Sequence, residues 1–85
     1  MNQDIQNLIG SSPEGGNLGG TLILQAKEAR KGLGEVEGYI VLCIVGDRKE
    51  FVTWWMGKDQ HFVSSGHYFG WDDFEDALVD YKGRS

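Results

Sequence analysis

His61 and His67 are the only histidines of the chain, and they stand six positions apart. On a regular strand that spacing puts both imidazoles on one face. With Asp72 or Asp73 they would form a site of two imidazoles and a carboxylate, a donor set suited to divalent transition metals. Ser64, Ser65 and Gly66 interrupt the alternation between them, and no third ligand has a distinctive spacing. They are therefore weak metal candidates whose ordinary role is sheet packing. Cys43, the single cysteine, excludes a disulfide framework and a zinc finger. A reactive thiolate needs partial exposure and a cationic neighbour. Leu42 and Ile44 offer neither, so Cys43 reads as core filler. Ser11, Ser12, Ser64 and Ser65 have no nucleophile-elbow context. Asp72 and Asp73 are adjacent, and one of them suits a helix cap better than paired-carboxylate catalysis. The glycine-rich stretch Glu14–Gly20 matches neither a P-loop nor a dinucleotide fingerprint and reads as a connector. These residues predict a chain that is not an enzyme and holds no cofactor.

Charge is more informative. The chain has 13 acids and eight bases, a net charge of −5. Asp72, Asp73, Glu75, Asp76 and Asp80 fall within nine residues that contain no base, leaving eight acids against eight bases elsewhere. Such a segment repels nucleic acid and attracts basic surfaces. Its commoner meaning is a solvated helix face that keeps a protein soluble. Aromatics make up 12% of the chain. A stacking platform for single strands needs interleaved bases, and around Phe51–Trp71 there are only Lys58 and the histidines. Packing in a core or an interface explains the rings better.

The elements that would carry these residues follow from periodicity. Ile5, Leu8 and Ile9 suit a short amphipathic helix in Met1–Gly10. Four glycines and the only proline make Ser11–Gly20 a loop. Thr21–Lys31 reads as a helix. Leu18, Leu22, Ala26, Ala29 and Leu33 are helically spaced, and Lys27, Arg30, Lys31 and Gly32 suit its end. Thr21–Leu24 alone would also fit a buried strand. Gly38–Val45 is a strand apolar on both sides, so both sides need cover. Gly46–Lys49 is a turn, Phe51–Met56 a second strand, and His61–Phe69 a third, bulged at Ser64–Gly66. Asp72 opens a final helix with Glu75 in capping-box relation. Phe74, Ala77, Leu78 and Tyr81 form its inward stripe, and Asp73, Asp76 and Asp80 share another face. The predicted fold is α+β in the order ααβββα: one domain over 1–85, a three-stranded antiparallel sheet with helices on one face. Its other face, carrying Trp54 or Trp55, is expected to be open to a partner or a second copy.

A helix, three antiparallel strands and a helix is also the order of double-stranded RNA-binding domains. Those domains place lysines at the start of the last helix. Here that site reads Trp71-Asp72-Asp73-Phe74-Glu75-Asp76, the opposite sign. From Gly38 to Tyr81, the hairpin, the tryptophan-bearing second strand, Gly66-His67-Tyr68-Phe69, Glu75-Asp76-Ala77 and Asp80-Tyr81 resemble small uncharacterised proteins of phages, plasmids and bacteria. The resemblance implies a three-stranded sheet with an acidic C-terminal helix. By class analogy it implies an inhibitor of a host enzyme.

The longest apolar run, Ile40–Val45, is too short to span a bilayer. Met1–Gly10 lacks the pattern of a secretory signal, so a cytoplasmic protein is expected. The functional expectation is a non-catalytic protein-binding module, probed through Asp72, Asp73, Glu75, Asp76, Asp80, Trp54, Trp55 and Trp71. A basic DNA-handling protein would be its target, and a homodimer its state. The alternatives are a purely structural homodimer, a metal protein or enzyme using His61 and His67, and a nucleic-acid binder using Lys27, Arg30 and Lys31.

Overall fold

The computed structural model describes residues 3–11, 21–30, 34, 36–58 and 63–84. Helix α1 (Gln3–Leu8) precedes strands β1 (Thr21–Arg30), β2 (Val36–Val45), β3 (Glu50–Gly57) and β4 (Val63–Gly70), and helix α2 (Phe74–Gly83) follows. A short 3-10 turn, Gly46–Arg48, joins β2 to β3. The strands form one antiparallel sheet in the order β1-β2-β3-β4. No helix among the described residues is long and apolar enough to cross a membrane.

The class is α+β as the sequence predicts, but the sheet has four strands, not three. The expected second helix is strand β1. Its helix formers are overridden because β2 needs a hydrogen-bonding neighbour on each edge, and pairing in a sheet outweighs the few tenths of a kcal/mol per residue of helix propensity. Register explains the misleading pattern. Ile23 pairs with Cys43 and Gln25 with Leu42, so Leu24 is an extra residue. Past that bulge the alternation changes phase. Ala26 then packs with one buried cluster and Ala29 with the other. The helical stripe Leu22, Ala26, Ala29 is thus split between the two sides of a bulged strand.

The helices also lie on opposite faces, not on one. Leu8 of α1 joins Ile23, Tyr39, Val41, Cys43, Val45, Val52, Trp54 and Met56. On the other side Ala77 and Tyr81 of α2 join Ala29, Ile40, Leu42 and Phe51. The cause lies in β2, whose alternate residues are apolar in both directions and are buried in both. The bulge expected at Ser64–Gly66 is present. Thr53 pairs with His67 and Trp55 with Ser64, and Ser65 takes φ 54°.

Two glycines make room for the indoles. A Cβ on Gly38 would run into the Met56 carbonyl oxygen and the Trp55 ring. One on Gly66 would meet the Trp54 indole. At Gly38 the obstacle includes backbone, which cannot swing aside. Gly38→Ala is therefore expected to lower stability by about 1–3 kcal/mol, read as a fall in the urea midpoint.

Cys43 is fully buried and its thiol is pushed up to about 12 by desolvation. It should ignore an alkylating reagent in the native protein and react once the chain is unfolded. Modification at the rate of a free thiol under native conditions would contradict this packing.

Candidate partner-binding site

β4 ends at Gly70, and the chain turns through Trp71 and Asp72 into α2. The Asp73 N–H donates to the Gly70 carbonyl at 2.9 Å, closing the turn. Three rings hold it. Trp71 stacks on Phe51 with centroids 5.2 Å apart and planes 10° from parallel. Phe74 meets the same ring edge-on at 4.9 Å. Phe51 itself is buried on β3. Trp71 nevertheless remains 46% exposed, so one face of the indole is seated and the rest is open to solvent.

Around it stand Asp72, Asp73, Glu75 and Asp76, all exposed. None forms an ion pair among the described residues. Asp73 is the N-cap residue, yet its side chain makes no capping hydrogen bond. The expected capping box is thus not formed, and the helix begins at Phe74. Glu75 and Asp76 occupy the first turn, where carboxylates are favoured by the positive end of the helix dipole, typically by about 0.3–1 kcal/mol each. The helix tolerates this density of charge because its own N–H groups offset part of the repulsion.

Asp80 does not belong to that exposed row. It turns toward the sheet, where Thr53 interrupts an otherwise apolar strand and is fully buried. The Thr53 hydroxyl donates to Asp80 Oδ2 at 2.5 Å. Arg84 Nη1 donates to the Thr53 carbonyl and hydroxyl oxygens, each at 3.0 Å. His67 Nδ1 lies 3.0 Å from both Asp80 oxygens. An ionised carboxylate only accepts, so Nδ1 carries the proton and Nε2 is the outward nitrogen. Partial burial pushes the Asp80 carboxyl up. The hydrogen bonds from Thr53 and His67, with the charges of His67 and Arg84, outweigh it and hold the carboxyl below its ordinary 3.8. The four residues tie the last turn of α2 to β3 and β4.

The other candidates are placed as follows. Trp54 is 4% exposed in the core, edge-on to Tyr68 at 6.1 Å. Trp55 is half-buried against the α2 cluster. Neither lies on an open sheet face, so Trp71 is the accessible tryptophan. His61 lies outside the described residues, and His67 is engaged by Asp80. Among the described residues no three His, Cys, Asp or Glu side chains could hold a metal ion. Lys27 donates to the Lys82 carbonyl at 3.2 Å and lies 5.1 Å above the Tyr81 ring. Arg30 pairs with Glu28 at 3.1 Å. Lys31 lies outside the described residues. Sequence reasoning missed Thr53 and Arg84. A lone hydroxyl inside Phe51–Met56 was the available signal, because a buried polar group requires a partner. It also missed Phe51 and Phe74 as the seat of Trp71, and the exposure of Leu22 and Leu24.

No protein-family model, curated protein or solved structure matches the chain.

The Asp80 network has a defined pH dependence. A carboxyl held low contributes stability that is present above its unfolded value and lost as pH falls through the folded one. Asp80→Asn should therefore cost about 1 kcal/mol near neutrality. The gap to the native protein should shrink as pH drops below roughly 4, followed by urea unfolding across the acid range. A gap independent of pH would show that the ionised carboxylate is not what holds the helix end.

Proposed function

We propose that this chain is a small, non-catalytic, cytoplasmic module that binds a protein partner through the N-terminal end of α2. In this reading Asp72, Asp73, Glu75 and Asp76 steer it to a basic surface, and Trp71 supplies the anchor that loses its water on contact. The observation that carries it is the combination at one turn: an indole 46% exposed, stacked on Phe51, and followed by four exposed carboxylates that form no ion pair among the described residues. An aromatic ring fixed before binding loses little conformational freedom on contact, which favours affinity. The partner class that fits is a host DNA-handling protein whose phosphate-binding surface is basic. The acids would present that surface with a row of negative charge in place of phosphates. An inhibitory role of this kind is part of the same proposal, by class analogy alone. Asp80 is left out of the interface because it is engaged by Thr53 and His67.

The test is affinity capture from a bacterial lysate, washed at rising salt. The native protein is compared with Trp71→Ala and with a variant carrying Asp72→Asn, Asp73→Asn, Glu75→Gln and Asp76→Asn. A basic DNA-binding protein should be retained by the native chain, released progressively by salt, and lost with either variant. Capture of the same proteins by all three, with the same salt profile, would refute the reading.

A further inference from the structure

We infer that the corner of the α2 face where Leu22 and Leu24 are exposed, next to the partly buried Ile44 and to Trp71, receives an amphipathic helix with one basic border from the partner. This rests on the reading above and adds the apolar half of the same surface.

The corner is defined by register. Leu22 pairs with Ile44, Ile44 with Phe51 and Phe51 with Phe69, so one row of apolar side chains crosses all four strands on the α2 side. Trp71 and Phe74 roof the Phe51 position. α2 packs over β2, β3 and β4, and among the described residues no helix covers the β1 end of the row. Leu22 is 45% exposed, and Leu24, pushed out by the bulge, is 37% exposed. Further along β1 the face is closed, because Lys27 reaches across to the Lys82 carbonyl and lies over Tyr81. The exposed apolar stretch is therefore short, and it lies on the sheet face that carries α2 and the exposed acids at that helix's start.

Two observations select the occupant. The outer edge of β1 is already paired at Ile23. Gly10 N–H donates to its carbonyl at 2.8 Å, and its own N–H donates to the Ser11 carbonyl at 2.9 Å. An added strand cannot pair at Ile23, so a partner seated on this corner engages it through side chains, as a docked helix does. Charge gives the second. A second copy seated on this corner by two-fold symmetry would bring two sets of four carboxylates toward one another. The nearby turn does not cancel them: Asp47 offsets Lys49, and Arg48 pairs with Glu50 at 3.1 Å. Glu50 aligns with Val45, which belongs to the other face. A helix with leucine-like side chains on one stripe and Lys or Arg along the adjoining border complements both halves of the corner.

The test uses two leucine–lysine peptides of equal composition, each long enough for about four helical turns. One has its leucines on a single face; the other is scrambled so that no apolar face forms. Binding to the full chain is followed by tryptophan emission and by methyl resonances of the leucines. The amphipathic peptide should bind roughly tenfold or more tightly than the scrambled one. It should shift the Leu22 and Leu24 methyl signals and lose that advantage with Leu22→Ser/Leu24→Ser, whose exposed positions leave the unfolding midpoint near that of the native chain. Magnetisation transfer between peptide and Leu22 or Leu24 methyls in the native chain provides a readout independent of any variant. Equal binding of both peptides, or unmoved Leu22 and Leu24 signals, would overturn the docking site while leaving the acidic reading intact. Unchanged binding of both peptides to the four-amide variant would instead refute the acidic reading. A native dimer that dissociates on Leu22→Ser/Leu24→Ser would show that a second copy covers the corner, and would overturn the helix proposal.

Discussion

A strand that carries Tyr39, Val41, Cys43 and Val45 on one side and Ile40, Leu42 and Ile44 on the other cannot lie at the surface of a sheet. Leaving either side in water costs about 25 cal/mol for each Å² of apolar surface. Each edge carries backbone groups that must find partners. β2 therefore requires strands on both flanks and cover above and below. The first requirement recruits Thr21–Arg30 as a strand in spite of its helix formers. The second places α1 and α2 on opposite faces. Among the described residues α2 packs on β2, β3 and β4, and Leu22 and Leu24 of β1 stay exposed.

α2 is fixed at its two ends by different physics. At its start, Phe51 receives Trp71 on its face and Phe74 on its edge, so dispersion and ring electrostatics set the turn. At its end, a buried hydroxyl on Thr53 must be satisfied, and Asp80 and Arg84 are drawn in to satisfy it. The outcome for the acidic segment is a division of labour. Four carboxylates are displayed to solvent at a helix start packed through Trp71 and Phe74 on Phe51, while the fifth becomes part of the helix anchor.

The exposed acids favour the helix through its dipole and favour solubility through repulsion between molecules. Neither role needs an exposed indole among them. What distinguishes a recognition surface from a solvated helix face is apolar area that remains wet when the fold is complete. Trp71, Leu22 and Leu24 supply that area on the same side of the sheet as the acids. Their exposure comes from the roof of α2 ending before β1, and the bulge at Leu24 adds to it.

From the residues alone, the α+β class, the β2–β3 turn, the bulge in β4, the acidic final helix and the inert cysteine were all legible. They depend on local alternation, turn residues and charge, which neighbours in sequence express directly. The identity of β1 was not legible. A strand with one extra residue changes the phase of its alternation, and the resulting spacing of Leu22, Ala26 and Ala29 imitates a helix. The accessible tryptophan was not legible either, because Trp54, Trp55 and Trp71 differ only in what folds over them. The same holds for Asp80, whose place on the acidic helix says nothing of Thr53 lying 27 residues earlier. Sequence determined which segments had to be buried and where charge collects. Tertiary structure decided which ring and which carboxylates are left in water, since long-range pairing alone sets what covers each face.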